Sequence, residues 1–122
     1  MAKRSPKQKA KAAAWKAFST YIRLRDPRCV TCGGANQQAG HFIDGRNNAV
    51  LFSEKGVHSQ CYRCNVGLHG NKIEYYRFME KTYGAPTIEK LLKESKQTIQ
   101  YKTHDYERIA EEYKAKCKEL LK

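Results

Sequence analysis

Two Cys-x-x-Cys pairs, Cys29 with Cys32 and Cys61 with Cys64, constrain the fold of this chain more than any other feature. Each pair presents two thiolates from one tight turn, and four sulfurs brought together form the tetrahedral donor set that favours zinc. The first pair runs on as CVTCGG, whose glycines let the knuckle turn back with its amides toward sulfur. The opening segment, MAKRSPKQKAKAAAW, has no apolar core of the secretory kind, so the expected compartment is the reducing cytoplasm. There, paired cysteines imply metal rather than disulfides. An ion closed by four protein ligands has no open position, so it staples and does not catalyse. At 122 residues the chain reads as one small domain near the size at which such a staple helps.

The segments around the knuckles predict an α+β fold. Residues 1–10 are Lys-rich without an apolar face and read as a disordered basic arm. Trp15, Phe18 and Ile22 recur at helical spacing, which predicts an N-terminal helix over 11–26, stopped by Pro27. Between the pairs, AGHFI (39–43) reads as a strand, DGRNN (44–48) as a turn and AVLF (49–52) as a second strand. A helix is expected to open at the second knuckle near Tyr62 and to restart with Asn71 as its N-cap. The core then spans 29–83, and C-terminal helices fill 87–122. In the last of these Tyr106, Ile109, Ala110, Tyr113, Cys117 and Leu120 share one face, which makes the fifth cysteine a packing residue.

Charge narrows the partner. Lys and Arg number 24 against 12 Asp and Glu, a net charge of +12, and no window approaches the apolar length of a membrane span. Nucleic acid is the expected polyanion, and no membrane association is expected. Arg46, Lys55, Arg63, Lys72 and Arg77 are the candidate phosphate contacts.

The second knuckle continues as CNVGLHGN. On an α-helix Asn65 and His69 would share a face four residues apart. A strand ending near His41, clamped to that helix by the shared zinc, would set its imidazole against the same face. Two strands, a helix and a cation form a ββα-metal arrangement, in which the strand histidine deprotonates water and the helix ligands hold a hard cation at the scissile phosphate. His41 is the candidate base, and Asn65 and His69 are the candidate ligands of a catalytic Mg²⁺ or Mn²⁺. His58 points to the other face of its segment and is assigned a structural or phosphate-contacting role. His104, in the first turn of the last helix, is expected to be solvated.

The stretch AGHFIDGRNNAVLFSEKGVHSQCYRCNVGLHGN resembles the HNH nuclease motif and, more narrowly, the NinG (Rap) recombination proteins of lambdoid phages. The resemblance rests on Cys-x-x-Cys-Gly at 29–33, Ala-Gly-His-Phe at 39–42, Val-His-x-Gln-Cys-x-x-Cys-Asn at 57–65 and Gly-Asn at 70–71. It implies a zinc-stapled ββα-metal core and a divalent-metal-dependent endonuclease acting on branched DNA, such as Holliday junctions or D-loops. It places His41 at the general-base position and Asn65 and His69 among the metal ligands. Gly40 stands where many HNH enzymes keep a metal-binding Asp or His, so Asp44 or water would complete the shell; Gly56 replaces the asparagine that pins the loop. A zinc-dependent DNA-binding protein without cleavage and a sequence-specific homing or restriction enzyme are the alternatives. Two coordinated cuts at a junction would suit a homodimer, with the last two helices as the interface.

Overall fold

The computed structural model describes residues 3–44 and 48–122. Helix α1 spans Pro6–Arg25 and therefore starts within the segment expected to be a disordered arm. The reason is local: Ser5 Oγ accepts from Gln8 N at 3.1 Å, Gln8 Oε1 accepts from Ser5 N at 2.8 Å, and Pro6 occupies the first helical position. This reciprocal capping satisfies amides that would otherwise lack partners, and proline costs nothing at that position. Ala10, Ala14, Ala17, Phe18 and Ile22 then form one buried stripe.

The stripe packs on α5 (Thr103–Leu120). Ala10 and Ala14 meet Tyr106 and Ala110, while Ala17, Phe18 and Ile22 meet Tyr113 and Val57. Small residues on α1 let the two axes approach, and the aromatic rings fill the space between them. Phe18 has Phe52 and Tyr113 set edge-on at 5.5 and 4.9 Å between ring centroids. Cys117 packs here too, with Sγ 3.8 Å from the Ala17 carbonyl. Glu54 ties the layers together by accepting from Tyr21, Tyr113 and Lys116.

Strands β1 (Gln38–His41) and β2 (Val57–Gln60) form an antiparallel pair, with Gly40 opposite His58 and His41 opposite Val57. The expected second strand at 49–52 is not one. Asn48–Leu51 is a single helical turn, α2, with Val50 buried and Asn48 tied to the Ile99 carbonyl at 3.0 Å. β2 comes later because the pairing strand must lead directly into the second knuckle, as β1 follows the first. The end of α1 anchors it: Asp26 accepts from Ser59 N, and the Arg25 guanidinium donates to the Val57 and Glu54 carbonyls.

Beyond the second knuckle, α3 (Lys72–Tyr83) and α4 (Ala85–Ser95) pack Tyr75, Met79, Ile88 and Leu91 beneath Phe42 and Ile43. Gly84 joins them at φ +88°, a conformation that strains any residue with a Cβ. Among the described residues no helix is long and apolar enough to cross a membrane.

His58, buried in β2, is structural. Tyr75 donates its hydroxyl proton to the Gly40 carbonyl at 2.7 Å, so towards His58 Nδ1, 3.3 Å away, it can only accept. The imidazole therefore carries its proton on Nδ1, and Nε2 accepts from Tyr83 at 2.8 Å. Burial, reinforced by the charge of Arg25, pushes this histidine down to about 4. The unfolded chain binds that proton near 6.5, so stability is full above this pH and declines as pH falls toward 4. Denaturant midpoints measured across this window should drop on acidification, and the His58→Gln variant should flatten the slope. Separately, Phe18→Ala should cost about 3–5 kcal/mol in urea unfolding, as emptying a well-packed aromatic site does.

Candidate active site and metal centre

The two knuckles converge. The sulfurs of Cys29, Cys32, Cys61 and Cys64 lie within 4.8 Å of one another, and Cys32 and Cys61 are 3.7 Å apart. That separation is far beyond a disulfide bond of about 2 Å. It matches the edge of a tetrahedron whose zinc–sulfur bonds are about 2.3 Å. Outer-shell donors are in place: Gly34 N reaches Cys32, Cys64 N reaches Cys61, and Asn71 Nδ2 reaches Cys64 at 3.6 Å. Asn71 occupies the expected N-cap position but makes no side-chain cap; at φ +50° it turns its amide to the sulfur instead. Without a cation the thiols titrate apart. Burial raises Cys29, but the Thr31 hydroxyl and backbone amides outweigh it and lower the pKa, whereas Cys32 is raised by the neighbouring thiols despite the Gly34 amide. The donor set, spacing and outer shell fit zinc.

Gln60 connects this centre to the strands. Its Nε2 donates to the Gly70 carbonyl at 2.8 Å and to Thr31 Oγ1 at 3.2 Å, leaving the Thr31 proton for Cys29 Sγ at 3.2 Å. One buried carboxamide thus ties both knuckles together. Its Oε1 has no hydrogen-bond partner and lies over the α-carbon of Gly40. A Cβ at position 40 would overlap Gln60 Oε1 and stand 2.9 Å from Asn65 Oδ1. Gly40 is therefore where two amide oxygens crowd against backbone, and a side chain cannot enter. Gln60 and Gly40 both stand in the motifs quoted above, but the sequence pattern does not disclose this contact between them.

His41 lies at the end of β1, half-buried, with its ring stacked on Trp15 at 5.3 Å and 14° between planes. Its Nε2 is 3.2 Å from the Leu51 carbonyl, which can only accept, so Nε2 carries the proton and Nδ1 is the basic nitrogen. Burial lowers the pKa of His41, the Lys72 charge adds to this, and the Leu51 carbonyl and Asp44 oppose it. The ring is thus neutral at pH 7. Across β1, Asn65 donates from Nδ2 to Gln38 Oε1 at 2.7 Å and keeps Oδ1 toward Gly40.

The expected α-helical face shared by Asn65 and His69 does not form. Arg63–Gly67 is a π-helical turn, closed by Leu68 N to Arg63 O at 2.7 Å, and His69 follows at φ +50° in an exposed turn. The wider turn places Cys64 in the cluster and ends the helix before His69, which removes the i, i+4 relationship. Asp44 is exposed and paired with Lys72 at 3.0 Å. Among the described residues the four cysteines are the only group of three or more His, Cys, Asp or Glu side chains whose ligand atoms converge. His69 and Asp44 belong to no such group, and Asn65 offers an oxygen beside β1.

The candidate phosphate contacts divide. Lys72 is a clasp, with Nζ 2.7 Å from both the His41 and Phe42 carbonyls. Arg77 is paired with Glu74, Lys55 lies over the Tyr83 ring, and Arg63 is exposed on the π-turn. Arg46 lies outside the described residues. Sequence reasoning gave Trp15 only to the helix core and missed its stack on His41. His104 is exposed, with Nε2 3.5 Å from Asp105.

Fold and site together define a small basic α+β protein whose two-stranded sheet adjoins a four-cysteine cluster that could hold a structural metal such as zinc. Comparison with known sequences agrees: the profile of the family described as "Bacteriophage Lambda NinG protein" matches residues 2–122. The chain belongs to the NinG family. It is similar to the protein ninG of Salmonella phage P22, 29% identical over 113 residues, which cover 88% of this chain and 55% of that protein. It is 28% identical to the protein ninG of Escherichia phage lambda and 27% to that of Escherichia phage 933W, over the same length and 88% of this chain. These matches cover 55% and 56% of the two relatives, so the chain spans about half the length of the curated relatives it matches. No solved structure matches.

One bound zinc per chain is expected by elemental analysis, and Cys64→Ser should lose the metal and the cooperative unfolding transition together. Gly40→Ala should cost about 1–3 kcal/mol, the usual range for overpacking, with zinc retained.

Proposed function

We propose that the chain is an endonuclease of the HNH type acting on branched DNA, with His41 as general base. The observation that carries this reading is the state of His41. It is a neutral imidazole on a strand clamped by thiolates, with its Nε2 proton held by a backbone carbonyl and Nδ1 left basic. An imidazole fixed in this tautomer suits abstraction of a proton from water. A net charge of +12 supports a phosphodiester substrate.

A divalent cation arriving with the DNA would take Asn65 Oδ1 together with phosphate and water oxygens, and would stabilise the leaving oxyanion. Preference for branched DNA follows from the resemblance to recombination proteins. Two coordinated cuts at a junction make a dimer part of the proposal, and sedimentation of the protein with and without a four-way junction tests it. The rival reading, a DNA-binding protein without cleavage, draws on the Asp44–Lys72 ion pair, which takes a carboxylate away from any cation shell.

Purified protein incubated with four-way junctions, D-loops and linear duplex, with Mg²⁺ or Mn²⁺ and without either, separates the two readings. Cleavage of the branched forms that needs added metal is expected. His41→Ala should cut about 10²- to 10⁴-fold more slowly, the usual contribution of a general base, while zinc content and folding persist. Undiminished cutting by that variant would remove His41 from the mechanism. Because burial lowers the pKa of His41 below 6.5, the rate should rise with pH on the acid side and already be level at pH 7.

A further inference from the structure

We propose that the recess between α1 and β1 receives a single unpaired nucleotide, its base against Trp15 and its edge read by Gln37 and Gln38. This deepens the reading of the chain as a DNA-acting protein and rests on it. The recess measures about 420 Å³ and is walled by Trp15, Ser19 and Arg23 of α1, by Gln37, Gln38 and Ala39, and by Asn65. That volume lies within the range of small-ligand sites, roughly 300–1,000 Å³.

Its chemistry is that of a nucleotide in negative. Trp15 supplies an aromatic surface, half-buried and braced by Phe18, Phe52 and His41. Both glutamines are anchored by their oxygens: Gln37 Oε1 accepts from Tyr62 N at 2.9 Å and Gln38 Oε1 from Asn65 Nδ2 at 2.7 Å. Their amide nitrogens are thereby oriented, and neither donates to a partner among the described residues. Each offers two N–H groups to base carbonyl or ring-nitrogen acceptors. Among the described residues the Arg23 guanidinium reaches only neutral oxygens, Ser19 O at 3.3 Å and Thr20 Oγ1 at 3.4 Å, so its charge remains for a phosphate.

A paired and stacked base cannot enter such a recess; a bulged, frayed or branch-point nucleotide can, because its unstacking is already complete. The neighbouring strand β1 carries both Gln38 and His41, so the same element that reads the unpaired nucleotide presents the proposed base. Selectivity for disrupted DNA would then arise from one occupied recess rather than from a sequence read in a groove.

Trp15 is the only tryptophan in the chain and reports directly on the recess. The zinc-loaded full chain, without Mg²⁺ or Mn²⁺, is titrated with two duplexes of equal length, one fully paired and one carrying a single-nucleotide bulge. The bulged duplex should quench the tryptophan saturably and bind on the order of tenfold more tightly, the factor one base–aromatic stack supplies. Equal affinities, or equal quenching, would overturn the proposal. Gln37→Glu keeps the acceptor for Tyr62 N while deleting the donor pair, and should bring the bulged-to-paired ratio close to one; an unchanged ratio also overturns it. Trp15→Phe should largely preserve the ratio and Trp15→Leu abolish it. If the leucine variant loses its zinc or its helical circular dichroism, the exposed Gln37→Glu position carries the test. Bulge preference without cleavage of any DNA would count against the nuclease reading alone, whereas cleavage without bulge preference would count against the recess alone.

Discussion

The convergence of four cysteine sulfurs, a set that could hold one zinc ion, is the constraint on which the arrangement of this protein turns. The sheet has only two strands of four residues each, too little to persist in water without support. Each strand adjoins a knuckle: β1 follows the first pair, and β2 runs directly into Cys61. One ion bound there would fix the pairing, the register and the position of the π-turn in a single event. In a domain built this way the free energy of metal binding is free energy of folding. The aromatic packing of α1 against α5 and the α3–α4 layer surround this frame.

The outer shell of that centre extends into the candidate site. Gln60 touches both knuckles through Gly70 and Thr31, and its oxygen lies on Gly40. Tyr75 holds the Gly40 carbonyl, His58 holds Tyr75, and Tyr83 holds His58 in turn. The residue before His41 is thus gripped from two sides by side chains that lack freedom of their own. His41, one residue further along, inherits this rigidity, which would matter for the proposed proton transfer because such steps depend on close positioning. Gly40 reads differently in this light. The absence of a side chain here lets the carboxamide that ties the knuckles lie against the strand.

What was legible beforehand follows from how local each signal is. The thiol pairs were legible because two-residue spacing is itself the geometry of a knuckle, and β1 and α3 to α5 because apolar periodicity and glycine punctuation are short-range. The start of α1 was missed although its Ser5–Gln8 capping box lay in plain view, because lysine-rich composition suggested disorder and the small Ala10 gave no apolar signal of its own. The strand at 49–52 failed for the opposite reason: Ala-Val-Leu-Phe has strand composition, but Asn48 just before it is tied to Ile99 and Tyr101, and Phe52 packs on Tyr101, so distant contacts accompany a helical turn instead. The spacing of Asn65 and His69 failed because an i, i+4 argument presumes 3.6 residues per turn, and a π-turn at a zinc knuckle breaks that premise.

The loss of the helical pairing changes what the site can be. With His69 in a left-handed turn and Asp44 paired with Lys72, the proposed cation would depend on Asn65 Oδ1 and on oxygens brought by the DNA. Magnesium commonly keeps several waters and takes substrate phosphate as a ligand, so a shell completed by DNA is chemically ordinary. It carries a consequence, however: cation affinity and DNA affinity must then be coupled, each raising the other by the same factor. Such an enzyme would hold little catalytic metal when free and gain it where a phosphate is presented beside His41. A site complete only with its substrate in place would need no tight intrinsic metal binding, and, if the proposed cleavage holds, would restrain a strongly basic protein from cutting every duplex to which its charge draws it.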